Sequence, residues 1–244
     1  RPRVVICVPS AITAVERRAV TEAARRAGAA EAQLIEQPMA AAIGANLPIN
    51  EPVGSMVIDI GGGTSESAIL SLGGVVALQA VRVGSFDIDS AITQYIRREY
   101  GIAIGEQTAE KIKITMGSAY PTADEFKAEV RGRELMSGLP KTVILSPEEV
   151  RAAIEEPVSA IIDSVVACLG NAPPELAQDL IVQGIHLVGG GGMLRGLAQR
   201  LTDETDVQVR LVDLPLECVA LGAGRCIESY EALKVMFMED NSRR

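Results

Sequence analysis

The most chemically suggestive stretch of this 244-residue sequence is an aspartate at the end of an apolar run, followed by three glycines and a hydroxyl residue. In MVIDIGGGTSES, Asp59 precedes Gly61, Gly62 and Gly63, and Thr64 closes the series. A carboxylate there can hold a hydrated magnesium ion. Glycines let backbone N–H groups approach phosphate oxygens, and the Thr64 hydroxyl can bond a phosphate or an attacking water. The same residues also make an ordinary glycine-rich hairpin turn, so the local pattern leaves both readings open. A second run, Gly189 to Gly192, precedes a helical pattern, an arrangement that seats a nucleoside or phosphate against a helix N-terminus. No G-x-x-x-x-G-K-[ST] segment occurs, which sets aside a P-loop enzyme.

Composition narrows the remaining chemistry. With 32 acidic against 23 basic residues the net charge is −9, so the phosphate attraction behind nonspecific nucleic-acid binding has no source. Cys7, Cys168, Cys218 and Cys226 stand singly among apolar neighbours without a Cys-x-x-Cys, the pattern of buried reduced thiols. The single histidine, His186, lies in the apolar run IVQGIHLV and is expected to be a satisfied core or strand-end residue. A Ser-His-Asp or Cys-His enzyme would rest wholly on it, and that class is set aside. The longest uncharged runs, Ser67 to Val81 and Leu180 to Leu194, are glycine-interrupted and shorter than the ~18 residues of a spanning helix.

The elements that must position these loops alternate. Val4 to Val8 reads as a strand, Ala14 to Ala27 as a helix capped by Ser10 or Thr13 with Glu16, Glu31 to Glu36 as a second strand, and MAAAIGA as a second helix. This β-α-β-α order predicts part of a parallel, helix-covered sheet. Three strand-like runs punctuated by Gly61–Gly63 and Gly73–Gly74 predict an antiparallel meander, followed by a helix from Asp87 to Tyr100. From there to about Ser146 the chain is richer in Lys, Glu and turn residues, with a helix near Thr108 to Met116 and strand-like FKAEVRG and KTVIL. This reads as an inserted small α+β subdomain. Ser146-Pro147-Glu148-Glu149 opens a further helix leading into Val158 to Leu169. The last predicted elements are a strand Ile181 to Val188, a helix Met193 to Thr202, a strand VQVRLVD and a helix Cys218 to Leu233.

Taken in order, the segments VPSAITAVERRAV, LIEQPMAAAIGANLPI, GSMVIDIGGGTSESAILSLGG, TAEKIKITMGSAYP, RGRELMSGLPKTV and LVGGGGMLRGL resemble the MreB/Mbl family of bacterial actin homologues, over the chain to about Tyr230. The wider plan is similar to the actin, hexokinase and heat-shock chaperone superfamily, whose two related ribonuclease H-like α/β domains clasp ATP and magnesium. The resemblance implies an actin-like ATPase fold with an incomplete first domain over 1–50 and a second domain over 51–100 and 147–230. It places the inserted subdomain at 101–146 and a C-terminal tail at 231–244. It also implies that Asp59, Gly61, Gly62, Gly63 and Thr64 form the second phosphate loop, with Asp59 holding magnesium through water. By the same comparison Glu110 and Lys113, one helical turn apart, flank the adenosine, and Gly190, Gly191 and Gly192 face the nucleoside and sugar. The reading of Glu110 and Lys113 from spacing alone is a solvent-exposed helical ion pair.

Two departures qualify the resemblance. Such proteins open with a first phosphate loop of the type Asp-x-Gly-Thr, which these residues do not contain, so the chain is expected to be N-terminally truncated. The family pattern also has glutamate before the proline of its Pro-Met-Ala-Ala-Ala motif, and here that position is Gln37, within Glu36-Gln37-Pro38-Met39. Gln37 can accept a hydrogen bond from water but cannot take its proton. Gln37 and Thr64 are accordingly the expected water-handling pair. The implied function is a cytoskeletal protein that binds ATP, self-assembles, and organises peptidoglycan synthesis with cell-wall elongation proteins at the inner face of the cell membrane. The alternatives are a nucleotide-independent interaction module of that machinery, or a chaperone-like or sugar-kinase-like ATPase of the same superfamily.

Overall fold

The computed structural model describes residues 2–123 and 125–238. Its elements run β1 (Arg3–Val8), α1 (Ala14–Arg26), β2 (Glu31–Glu36), α2 (Gln37–Gly44), β3 (Ser55–Ile60), β4 (Ser65–Ser71), β5 (Gly74–Val81) and α3 (Ser85–Tyr100). There follow β6 (Ile102–Ala103), α4 (Glu106–Met116), β7 (Ala128–Glu134), β8 (Pro140–Leu145), α5 (Pro147–Gly170) and α6 (Pro174–Gln183). The chain ends on β9 (Ile185–Val188), α7 (Leu197–Thr205), β10 (Val209–Leu211), α8 (Cys218–Glu228) and α9 (Tyr230–Leu233).

The central sheet has the order β10-β9-β3-β4-β5, parallel across β10, β9 and β3 and antiparallel from β3 through β5. Strand alternation divides β3 between two cores. Met56, Ile58 and Ile60 face a layer built from α3, α5, α6 and α7, while Val57 faces the opposite layer with Ala68, Leu70 and Val188. Every residue of β3 is buried, which is why it reads as an unbroken apolar run with one aspartate in it. Strands β6, β7 and β8 form a separate three-stranded sheet, with α4 between β6 and β7 in the chain. Its Val130, Val143 and Leu145 join the same core as α3 and α5.

The second layer is α2 and α8. The predicted helix Cys218 to Leu233 is broken at Ser229 into α8 and α9, and α8 lies on α2 and β1, although its sequence position suggested the second domain. The two helices approach backbone to backbone. A Cβ on Gly222 would come within 1.8 Å of the Ala40 carbonyl oxygen, and one on Gly44 within 1.9 Å of that of Cys218. Only glycine fits at that crossing.

Three local expectations change. Residues 181–183 close α6 and are not strand, because Gly184 (φ 76°) ends the helix and only four residues remain for β9. The Gly190 segment passes first into a 3₁₀ turn, Gly191–Met193, so the following helix starts at Leu197. His186 sits in β9, as a strand residue, with burial holding it below the usual histidine range against a backbone hydrogen bond at Met56, and its Nδ1 has no partner among the described residues, so the ring is satisfied only in part. The four cysteines are free thiols. Residues 239–244 of the expected tail lie outside the described residues.

The α2–α8 crossing sets a direct test. Gly222→Ala should destabilise the chain by about 2–3 kcal/mol through forced separation of the helices. Gly224→Ala, on the same helix with open space around it, should stabilise it by about 0.5–1 kcal/mol. Denaturant titration of both variants reads the difference, and equal effects would show that the crossing is not tight.

Candidate functional site

Asp59 ends β3 on the face covered by α2 and α8, and the hairpin register places Glu66 of β4 directly opposite it. Both side chains are buried, at 7% and 3% exposure. Cross-strand like charges repel, and burial adds to the cost. Burial pushes the Asp59 carboxyl up to about 6, and the Glu66 charge contributes to that rise. Burial also raises Glu66, partly opposed by Ser10, whose backbone N–H donates to Oε1 at 3.1 Å and whose hydroxyl donates to Oε2 at 3.0 Å. Glu36, at the end of β2, is raised by burial too, with the Ser10 hydroxyl and the Glu66 charge acting on it in opposite senses. Three carboxylates therefore share one region.

Asp59 and Glu66 border a cavity of about 210 Å³, lined also by the polar or backbone groups of Gln37, Gly61, Thr64 and Gly190 and by apolar Pro215, Leu216 and Val219. Each lining element is placed by a stated local cause. Gln37 is the first residue of α2, where Pro38 fits because its missing N–H would be unpaired anyway. Thr64 is brought round by the hairpin turn in which the Gly61 N–H donates to the Thr64 carbonyl at 2.9 Å. Gly189, at φ 83°, passes so close to β3 that a Cβ there would lie 2.3 Å from the Ile60 carbonyl oxygen and 2.6 Å from Asp59 Oδ1. Any side chain at 189 would fill the space beside the carboxylate.

The expected site residues divide into two groups. Gln37, Asp59, Gly61, Thr64 and Gly190 meet at the cavity. Gly62 and Gly63 form the tip of the turn. The Gly62 and Gly63 N–H groups have no hydrogen-bond partner among the described residues, while the Gly61 and Gly62 carbonyls accept from Ser85 and Phe86 at the start of α3. Gly191 and Gly192 are buried, with the space beside their Cα atoms taken by Ile60 and Leu187. Their backbone packs; they do not line the cavity.

Glu110 and Lys113 also lie off the cavity, and they do not pair with each other. Glu110 is exposed, whereas the Lys113 ammonium bonds Asp89 at 2.8 Å and the Ser85 hydroxyl at 2.7 Å. This half-buried ion pair ties α4 to the first turns of α3, directly behind the glycine turn. Spacing along one helix predicted the i, i+3 pair, but the packing of α4 on α3 supplied a better-placed carboxylate. Sequence reasoning missed Glu66, Ser10, Glu36 and the Pro215–Val219 wall. Counting back across the hairpin from Gly62 and Gly63 would have set Glu66 opposite Asp59. Nothing local announced the others.

The donor set suits a hydrated divalent cation at Asp59. The carboxylate is buried against another carboxylate, no lysine or arginine among the described residues lines the cavity, and glycine at 189 keeps open the space beside Asp59 Oδ1. The same negative charge would repel phosphate unless a cation offset it.

Comparison with known proteins bears on the family and the fold. The profile of the MreB/Mbl protein family matches residues 1–235. The cell shape-determining protein MreB of Escherichia coli (strain K12) is 51% identical over 227 residues, 93% of this chain and 65% of that protein. Mbl of Bacillus subtilis (strain 168) is 41% identical over 233 residues, 96% of this chain and 70% of that protein. The crystal structure of MreB5 of Spiroplasma citri bound to AMPPNP superposes with a TM-score of 0.91 at 36% identity, covering 94% of this chain and 69% of that one. The fold is that of the actin-like proteins, with the cavity near the end of β3 on the side covered by α2 and α8. The chain belongs to the MreB/Mbl family, and it spans about two thirds of the length of these relatives.

The carboxylate cluster predicts a pH effect whose sign follows from Asp59. Its folded pKa lies above its unfolded value of about 4, so between pH 4 and 6 the folded chain keeps a proton that the unfolded chain has lost. Without added magnesium, stability should fall as pH rises through this window, by up to about 3 kcal/mol for a shift of about two units. Asp59→Asn should flatten the slope and be the more stable protein at pH 7. Urea titrations across pH 4.5–7 test this, and a variant with an unchanged slope would remove Asp59 as the source.

Proposed function

We propose that this chain is the nucleotide-handling portion of a bacterial actin-like cytoskeletal protein that binds ATP with magnesium and sets cell shape. On this reading it assembles with copies of itself and organises peptidoglycan synthesis with wall-elongation proteins, in the cytoplasm and peripheral to the inner face of the membrane. The observation that carries the reading is the meeting of Asp59, Thr64, Gln37 and the Gly61 and Gly190 backbones at one cavity. Family membership supports it, as does the relative MreB5 of Spiroplasma citri, whose crystal structures are described as bound to AMPPNP and to ADP. Among the described residues no helix is long and apolar enough to cross a membrane, which fits a peripheral protein.

The residues take distinct parts. Asp59 would hold a hydrated magnesium ion, which would supply positive charge to offset the carboxylates and attract phosphate. Gly62 and Gly63 present free N–H groups to phosphate oxygen, and the Thr64 hydroxyl bonds either a phosphate or the attacking water. The Gln37 side-chain carbonyl accepts a hydrogen bond from that water and orients it without taking its proton. Leu216 and Val219 exclude solvent from the opposite wall.

Isothermal titration with ATP should show binding that requires magnesium and is weakened at least about tenfold by Asp59→Asn. Binding that is equal without magnesium and in the variant would overturn the reading. Replacing Gln37→Glu restores a carboxylate that can take the proton, a function worth ~10²–10⁴-fold in rate. Phosphate release should therefore accelerate while ATP affinity changes little. Equal rates would confine position 37 to orienting water.

A further inference from the structure

The α4–β7 region carries a second concavity, about 540 Å³, which shares no lining residue with the carboxylate cavity. One wall is α4, through Thr108, Lys111 and Thr115, and the other is residues 128–131 of β7. Sheet topology makes that second wall unusual. Strand β6 is only two residues long and pairs with Arg133 and Glu134, so it ends before reaching the first half of β7. Strand β8 runs along the other side of β7 from Ala128 to Arg133. Residues 128–131 are thus an open sheet edge facing a helix across a groove.

The orientation of the edge groups follows from strand alternation. The Leu135 N–H donates to the Gly101 carbonyl at 2.9 Å on the β6 side, and the Glu134 N–H donates to the Leu139 carbonyl at 2.8 Å on the β8 side. Alternate residues point alternately, so the N–H and C=O groups of Glu129 and Arg131 point to the β6 side, into the groove. No strand reaches them. The floor is apolar, formed by buried Ile112, Met116 and Val130. On the rim the Lys111 ammonium has no carboxylate partner among the described residues.

We propose that this groove is a β-augmentation site for an extended, carboxylate-bearing peptide segment of a partner protein. The segment pairs its backbone with Glu129 and Arg131, lays an apolar side chain on Ile112 and Val130, and sets its carboxylate beside Lys111. A partner is favoured over a second copy of this chain by charge. Of the sheet edges among the described residues, β1, β5, β8 and β10 carry no carboxylate for Lys111, and in β2 Glu31 is already paired with Arg3, Glu36 is hydrogen-bonded by Ser10 beside Glu66, and the Leu34 carbonyl accepts from the Met238 N–H.

The test uses the full ¹⁵N-labelled chain and a library of blocked hexapeptides with aspartate fixed at one position and valine at a second. At about 1 mM peptide, backbone amide shifts should appear at Glu129, Arg131, Thr108 and Lys111. A library with lysine in place of the aspartate, and one N-methylated along the backbone, should each bind at least about tenfold more weakly. Glu129→Pro removes an N–H that faces the groove while leaving the ladder to β8 intact, and it should abolish the shifts. Lys111→Glu, a surface change, should reverse the preference between aspartate and lysine. Absence of shifts at these amides, equal binding of the N-methylated library, or an unchanged preference in Lys111→Glu would each overturn the proposal. So would self-association of the wild-type chain that Glu129→Pro abolishes in sedimentation, because the occupant would then be a second copy.

Discussion

The contact on which the rest depends is the crossing of α2 and α8, where Gly44 and Gly222 let two helix backbones meet without side chains between them. The Cys218 thiol donates to the Ala41 carbonyl across that crossing, joining positions 177 apart in the chain. It covers one face of the central sheet, burying Val57, Ala68, Leu70 and Val188. The same crossing sets Gln37 at one side of the cavity and Val219 at the other. Packing and site are therefore one feature: a wider crossing would loosen the core and open the cavity together.

Against that well-packed layer stands an electrostatic cost. Asp59 and Glu66 are paired across β3 and β4 with Glu36 nearby, and no cationic side chain among the described residues lines the cavity. Ser10 relieves part of it by giving Glu66 its backbone N–H and its hydroxyl. The remainder is stored in the folded chain, since like charges buried together are less stable than a neutral pair would be. A site that gains free energy on taking up a cation is the natural counterpart of such an arrangement. Lys113 and Asp89 differ in kind, since there a half-buried carboxylate meets an opposite charge through its Oδ2.

Much of this was legible along the chain. The run Asp59 to Thr64 announced a turn with chemistry in it, because an aspartate in an otherwise apolar strand needs a reason to be there. Capping residues were equally plain: Thr13 with Glu16 and Ser146 with Glu149 form the reciprocal boxes their spacing implies. The partner of Lys113 was not legible, since it depends on how α4 leans on α3. Ser10, readable as a helix cap, instead turns to Glu66. Gly191 and Gly192 look like further loop glycines, yet they are small because Ile60 and Leu187 crowd them.

The sequence by itself determined the alternation of elements, the glycine turns, the two capping boxes and the family, because each is written in contiguous residues whose spacing carries the physics. Tertiary structure alone decided which of the candidate residues meet. Asp59 and Thr64, Gln37, and Gly190 reach one cavity from three separate segments, Glu110 and Lys113 stay outside it, and β7 keeps an open edge because β6 stops after two residues. Those outcomes depend on sheet order, register and helix crossing, which bring together residues far apart in the chain and leave no trace in any local pattern.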